Sequence, residues 1–373
     1  LGNPIKKGGL MVQLLNLFFL SLFLVFPFGQ LARFPLTSLS RVGVNIYLHD
    51  LIVGLMVVWW LIEHGNKREK FTLPPLAKPI MGFFGVAFLS WLVNMPGYTL
   101  NETLVAFLYL FRWLVYTGLY FLAWEKERVI RYPIVKMLIV AGIASAVLGL
   151  LQYFFLPDTR FLFYSGWDRH YYRLIGSFLD PGFTGMIFVL TLILIVQKFR
   201  GKNFLRHLLL AVCYLGLALT YSRASYLAFI VGMIVLAWLK KSWQLFIVPL
   251  LVLLMTFILL PRPGGEGVKL SRSSSVESRI NNYQSSLEII KESPFLGIGF
   301  NFYRYAQRDA GFLEENWQVS HAAAGADSSL FFVLATTGLV GFGFYFWLLW
   351  EIIKIQPASA LALVAHSFFN HSL

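Results

Sequence analysis

FLRHLLLAVCYLGLALTYSRASYLAFIVGMIVLAWLKK, residues 204–241, contains two apolar runs of helix length, parted by the polar break TYSR and closed by a lysine pair. A helix that crosses the hydrocarbon of a membrane needs about 20 predominantly apolar residues, because every backbone polar group must be satisfied inside the segment. Similar runs recur on both sides of this stretch, near 10–30, 45–63, 78–95, 103–124, 134–155, 178–197, 204–221, 224–239, 243–260, 328–352 and 357–373. The 373 residues are 58% hydrophobic and 13% charged, with a mean hydropathy of +0.68. That is more apolar surface than one water-soluble core hides. The reading is an all-α polytopic membrane protein with about eleven transmembrane helices and a long, partly helical periplasmic loop.

Charge placement orients the spans. Lys6 and Lys7; Lys67, Arg68 and Lys70; Lys126, Arg128, Arg131 and Lys136; Lys198, Arg200, Lys202 and Arg206; Lys240 and Lys241; and Lys354 all fall on one side if each span crosses once. By the positive-inside rule that side is the cytoplasm, and so is the N-terminus. The excess of 31 Lys and Arg over 18 Asp and Glu is therefore read as orientation, and no nucleic acid is expected as a partner. The organisation divides into 1–155 with helices 1–5, 156–260 with helices 6–9 behind a loop, 261–327 as the long extracytoplasmic loop, and 328–373 as the C-terminal helices.

Cys213 is the single cysteine, so no intramolecular disulfide forms. The first apolar run lacks a small-residue cleavage pattern and reads as a span rather than a cleaved signal. Leu1 at the start and the abrupt stop at Leu373 suggest an incomplete frame, with Met11 as another candidate start. The seven histidines lack zinc-site spacing, so a mechanism without metal or cofactor is expected.

The side opposite the basic clusters carries the polar chemistry. In SSVESRINNYQSSLEIIKESP, Ser274 and Glu277 have capping-box spacing, and Val276, Ile280, Tyr283, Leu287 and Ile290 recur at helical steps up to the stop at Pro294. The spacing predicts an amphipathic helix near 275–292, lying along the outer interface or over a cavity. Arg279 falls on or beside its apolar stripe, where a cation needs a reason. Arg223 ends the TYSR break, and Asp327 opens the tenth span. Each has a plain alternative: Arg223 as an anchor reaching headgroups, Asp327 as a helix cap. Arg112, near the middle of the fourth span, needs a partner in hydrocarbon. Asp50 is a candidate for it, unless it only caps its own helix. Aromatics in 161–172 serve either to stack on sugar rings or as part of the interfacial belt.

RLIGSFLDPGFTG (173–185), TYSRASYLAF (220–229), SRINNYQSSLEIIKESPFLGIGFNFYR (278–304) and DSSLFFVLATTGLVG (327–341) follow one another as in the O-antigen ligase and polymerase family, which the C-terminal 200 or so residues resemble. VAHSFFNHSL (364–373) is similar to the start of that family's terminal helix, cut short of a total of about twelve helices. The resemblance implies a bacterial membrane glycosyltransferase of the GT-C type. Such an enzyme moves a glycan from undecaprenyl pyrophosphate to an acceptor hydroxyl, on a glycan or a lipid, at the outer face of the cytoplasmic membrane. It implies that Arg223 and Arg279 bind the lipid diphosphate, with Arg173 and Arg169 assisting at phosphate or glycan and Asp180 within the substrate site. The family's histidine base aligns with Asp327, while His321 lies six residues earlier; Asp327 is preferred because it is anchored to a helix start. That substitution favours a polymerase, or an exopolysaccharide or glycoprotein relative, over a lipid-A-core ligase. The alternative function is a transporter or flippase for a lipid-linked or anionic cargo. It would place ionisable residues along the spans and show paired, interrupted helices, and neither is evident.

Overall fold

The computed structural model describes residues 4–36, 44–67, 72–126, 133–199, 204–261, 263–313, 317–318 and 325–370. The helices are α1 (Pro4–Val25), α2 (Leu48–Lys67), α3 (Ala77–Asn94), α4 (Leu100–Lys126), α5 (Ile134–Phe155), α6 (Pro181–Lys198), α7 (Phe204–Leu219), α8 (Arg223–Leu239), α9 (Gln244–Leu259), α10 (Ser274–Glu292), α11 (Tyr303–Asp309), α12 (Ser329–Ile355) and α13 (Pro357–Ser367). The all-α expectation needs one addition. Strands β1 (Arg33–Leu36) and β2 (Val44–Tyr47) form an antiparallel pair between α1 and α2.

Among the described residues, seven helices, α1–α6 and α12, are long and apolar enough to cross a membrane. Helices α7, α8 and α9 are apolar but have 16, 17 and 16 residues, about 24 Å at 1.5 Å per residue. Each of the eleven hydropathic segments thus contains a helix, but length alone qualifies seven as spans. Exposed apolar residues cover the flanks. On α9 only Leu253 is buried, the inverse of a soluble helix and the expected state of a lipid-facing one.

The packing has two main centres. Leu15, Phe19, Val53, Met56, Trp60 and Leu122 join α1, α2 and α4. Tyr153, Phe188, Ile193, Leu217, Phe229, Met233 and Ala362 join α5–α8 and α13. Within the first centre Arg112 meets Asp50 at 2.9 Å, and the Tyr116 hydroxyl donates to the same carboxylate at 2.7 Å. The guanidinium also lies over the rings of Tyr47 and Tyr109. The Asp50 side chain is thus the partner that Arg112 requires.

Two of the basic helix ends lie beside the ends of neighbouring helices. Lys126 at the end of α4 reaches Glu63 near the end of α2 at 3.2 Å, and Lys240 after α8 donates to Val196 O near the end of α6 at 2.9 Å. Arg68, Lys70, Arg128, Arg131, Arg200 and Lys202 lie outside the described residues. The opposite end gathers the starts of α6, α8 and α12, the end of α13, and α10.

Two loop motifs prove to be architectural. Helix α12 breaks at Gly338, where φ is +62°, and residues 294–299 plug the break. Leu339 N donates to Pro294 O at 2.8 Å, and Ile298 N to Ala335 O at 2.9 Å. A Cβ on Gly338 would lie 2.2 Å from Phe295 O, so glycine is required both for its torsion and for this approach. Ser90 of α3 locks the joint by donating to Leu296 O at 2.6 Å.

The amphipathic helix forms as α10, with two corrections. Its N-cap is Ser273, without a side-chain cap bond, so Ser274 and Glu277 do not stand at the two ends of a capping box. The stripe residues Val276, Ile280 and Leu287 are exposed. The face turned to the protein instead holds Arg279, Asn282, Tyr283, Ser286 and Ile289.

Candidate functional site

The turn between α7 and α8 is built from Thr220, Tyr221 and Ser222. Ser222 is the N-cap of α8, accepting from Ser225 N, and Tyr221 is held at φ +48°. Among the described residues five non-glycines have positive φ, and three of them, Tyr172, Leu179 and Tyr221, lie one or two residues from Arg173, Asp180 and Arg223. Such backbone costs free energy that surrounding contacts must offset, and it clusters at functional sites.

Arg223 is the first residue of α8, a position where the helix dipole disfavours a cation. Carbonyls of the following loop hold it there: Nη1 donates to Leu270 O at 3.3 Å and to Arg272 O at 3.2 Å. Arg173 is fixed to the same turn, donating through Nε to Thr220 O at 2.7 Å and through Nη2 to Tyr221 O at 3.4 Å. Arg272 in turn donates to Gly267 O at 2.8 Å and Lys269 O at 3.0 Å.

Burial, and then the neighbouring Arg272, bring the Arg173 guanidinium down to about 10. Burial, followed by Arg223 and Arg279, lowers Arg272. Backbone carbonyls orient these cations but bring no negative charge. Among the described residues no carboxylate lies within ion-pair distance of Arg173, Arg272 or Arg279. This end of the C-terminal bundle therefore holds a group of arginines under mutual repulsion, which favours binding of an anion.

Arg279 enters from α10. Its guanidinium lies 5.9 Å from the Phe369 ring, and its inward position answers why a cation sits beside an apolar stripe: the exposed apolar residues face away, and the arginine faces the group. On the same face Asn282 Oδ1 accepts from Asp327 N at 2.9 Å, and Tyr283 donates to Phe368 O. Asp327 does not cap α12. The N-cap is Ser328, whose hydroxyl donates to Ser367 O at 3.1 Å, leaving the Asp327 carboxylate one residue outside the helix. Burial raises its pKa, Arg279 works against that, and Asp168 adds to it.

These contacts bring Arg173, Arg223, Arg272, Arg279 and Asp327 together from five separate elements. Residues 207–346, which carry four of them, match the family model described as O-Antigen ligase. This stretch belongs to the O-antigen ligase family. No curated protein matches the chain. Arg173, Asp168 and His170 lie ahead of the O-antigen ligase segment and His366 beyond it, so the site draws on chain outside the matched part.

Other expected residues have different settings. Asp180 is the N-cap of α6, accepting from Phe183 N at 2.5 Å, and its charge also acts on Arg173 and Asp168. Arg169 does not join the group; its guanidinium lies 4.0 Å over the Phe163 ring. His321 lies outside the described residues. Among the described residues no three or more His, Cys, Asp or Glu side chains are placed to hold a metal ion.

Three residues escaped the sequence reading. Arg272 lies in the serine-rich SRSSS, which has the look of a linker. Asp168 keeps an open surface, yet surrounding protein, and then Asp180, push its carboxyl up, as on the wall of an open cleft. Buried His366 contacts Ser225 Oγ at 3.2 Å, and that hydroxyl also donates to Gly182 O at 3.1 Å. This ties α13 to the starts of α6 and α8. His170 is held neutral, its pKa lowered to about 3 by burial and then by Arg173 and Arg272.

Proposed function

We propose that this O-antigen ligase family member transfers a glycan from undecaprenyl pyrophosphate to an acceptor hydroxyl, with inversion, at the outer face of the bacterial cytoplasmic membrane. The observation that carries the proposal is Arg279 in the field of the Asp327 carboxylate, neither of them in an ion pair among the described residues, beside Arg173, Arg223 and Arg272. In the reaction the acceptor oxygen attacks the anomeric carbon, and its proton passes to Asp327. The bond from that carbon to the diphosphate oxygen breaks, and the electron pair leaves with the diphosphate.

The developing negative charge is met by the arginines, whose planar forks suit phosphate oxygens. Fixed donors aimed at a leaving group need no reorganisation as the bond breaks. Elevation of the Asp327 pKa makes it a stronger base than an ordinary carboxylate near 3.9, and its backbone is held in place by Asn282 of α10. An acceptor that is a growing glycan gives polymerisation, and one on a lipid gives ligation.

Purified protein in nanodiscs, supplied with lipid-linked donor and acceptor glycan, tests this. Released undecaprenyl pyrophosphate with matching acceptor extension supports it. Extension that survives Arg279→Ala combined with Asp327→Ala would overturn the site, and donor moved between leaflets of proteoliposomes with its diphosphate intact would point to transport.

A further inference from the structure

Residues 156–175 could have been a loose interfacial loop rich in aromatics, but they form a folded lobe. Tyr172 N donates to Pro157 O at 2.9 Å, Thr159 N to His170 O at 3.1 Å, and Trp167 N to Leu162 O at 3.2 Å. Thr159 is buried and adds a hydroxyl bond to His170 O at 3.1 Å. Beside these bonds lies an open cleft of about 560 Å³, lined chiefly by Asp158, Arg160, Phe161, Phe163, Tyr164 and Arg169.

The lining has a definite chemistry. Arg160 and Asp158 form a forked pair at 2.9 and 2.6 Å, and the Arg160 guanidinium lies 4.7 Å over Tyr171. That pair neutralises itself, so its remaining hydrogen-bonding capacity suits hydroxyl groups better than a strong anion. Arg169 occupies one face of Phe163. Two rings remain open: Tyr164 is 90% exposed and Phe161 53% exposed. Flat apolar faces beside fixed planar polar groups are the surfaces on which sugar rings stack while their hydroxyls bond at the edges.

The cleft also has an address. Arg169 lines it, and the same short stretch of chain continues through His170, whose carbonyl accepts from Thr159 at 3.1 Å, to Arg173, which donates to Thr220 O in the turn ahead of Arg223. Cleft and candidate reaction site are thus joined by one short stretch of chain, from Arg169 to Arg173. We infer that the Asp158–Arg169 cleft is a carbohydrate subsite, holding sugar units of the transferred or growing glycan several units away from the reacting end. The inference rests on the proposed transfer, but its binding test does not require turnover.

The probe is the oligosaccharide cut by mild acid from the lipid-linked donor, free of lipid and diphosphate. Its binding to the full chain in phosphatidylcholine nanodiscs is followed by isothermal titration calorimetry. Saturable binding is expected, weakened about tenfold in Phe161→Ala/Tyr164→Ala, with a single monosaccharide binding far more weakly. In turnover the double variant should raise KM for long glycans about tenfold and leave a one-unit acceptor nearly unchanged.

Equal oligosaccharide binding by both proteins would overturn the subsite. So would a variant whose single defect is weaker association with phosphatidylglycerol vesicles, which would make the cleft a headgroup contact. Wild-type protein that binds oligosaccharide but never consumes donor would instead count against the transfer reading and leave the subsite standing.

Discussion

Arg112 and Arg279 are both arginines placed against apolar surroundings, yet the protein treats them in opposite ways. Arg112 is met by the Asp50 carboxylate at 2.9 Å, by a backbone carbonyl of Asn45 and by two tyrosine rings. Arg279 has the ring of Phe369 and the field of Asp327, with no carboxylate in ion-pair range among the described residues. A cation fully satisfied by its own chain serves the fold. One positioned beside other cations and left without an anion is prepared for a ligand, and burial alone would not distinguish them.

The strongest attack on this contrast is Arg279→Ala. Removing one fixed donor to a developing charge costs roughly 10²–10³ in turnover, and the melting temperature in detergent should hardly change. Arg112→Ala should show the reverse pattern. Stranding Asp50 costs on the order of 3 kcal/mol of stability, read as an earlier thermal unfolding transition, while the folded fraction transfers glycan at nearly the normal rate. If the two variants behave alike, the distinction fails.

Asp327→Asn sharpens the electrostatic side. The wild-type rate should rise with pH along a limb above the ordinary carboxylate range, because burial raises this pKa, and the limb should be absent in the asparagine variant. Arg279→Gln should move the limb of any residual activity further up, since Arg279 is the group that lowers this pKa. The same shift makes a stability prediction. The folded pKa lies above the unfolded one, so the native state loses stability as pH rises through that window. Asp327→Asn should therefore unfold later than wild type at neutral pH. The smallest effect belongs to Asp180→Ala, about 1 kcal/mol for a lost helix cap, seen as a slight drop in melting temperature.

Much of this was legible where residue type and helix position coincide. Arg112 in an apolar span demanded a counterion, and the nearest carboxylate at that depth was Asp50. Arg223 and Asp327 stood out because helix starts can be read from the break TYSR and from the polar residues before SSLFFVL. The stripe on α10 shows the limit of such reading. Val276, Ile280 and Leu287 correctly announce a helix with two faces, but near a membrane the apolar face can turn outward, and here it does. Arg272, Asp168 and His366 were invisible for another reason. Their setting depends on how distant parts of the chain meet: Arg223 donates to Arg272 O across 49 positions, and His366 meets Ser225 across 141.

The plugged break in α12 has a mechanical meaning. Helices α10 and α12 are tied at two points, by Asn282 to Asp327 ahead of α12 and by Pro294 and Ile298 to Leu339 and Ala335 at its break. Arg279 and Asp327 thus sit on opposite jaws of a caliper whose gauge is set by the Asn282 amide and by backbone hydrogen bonds rather than by the two reacting side chains. A different acid or base at position 327 would meet the same opening, so the chemistry at one jaw can change without resetting the instrument.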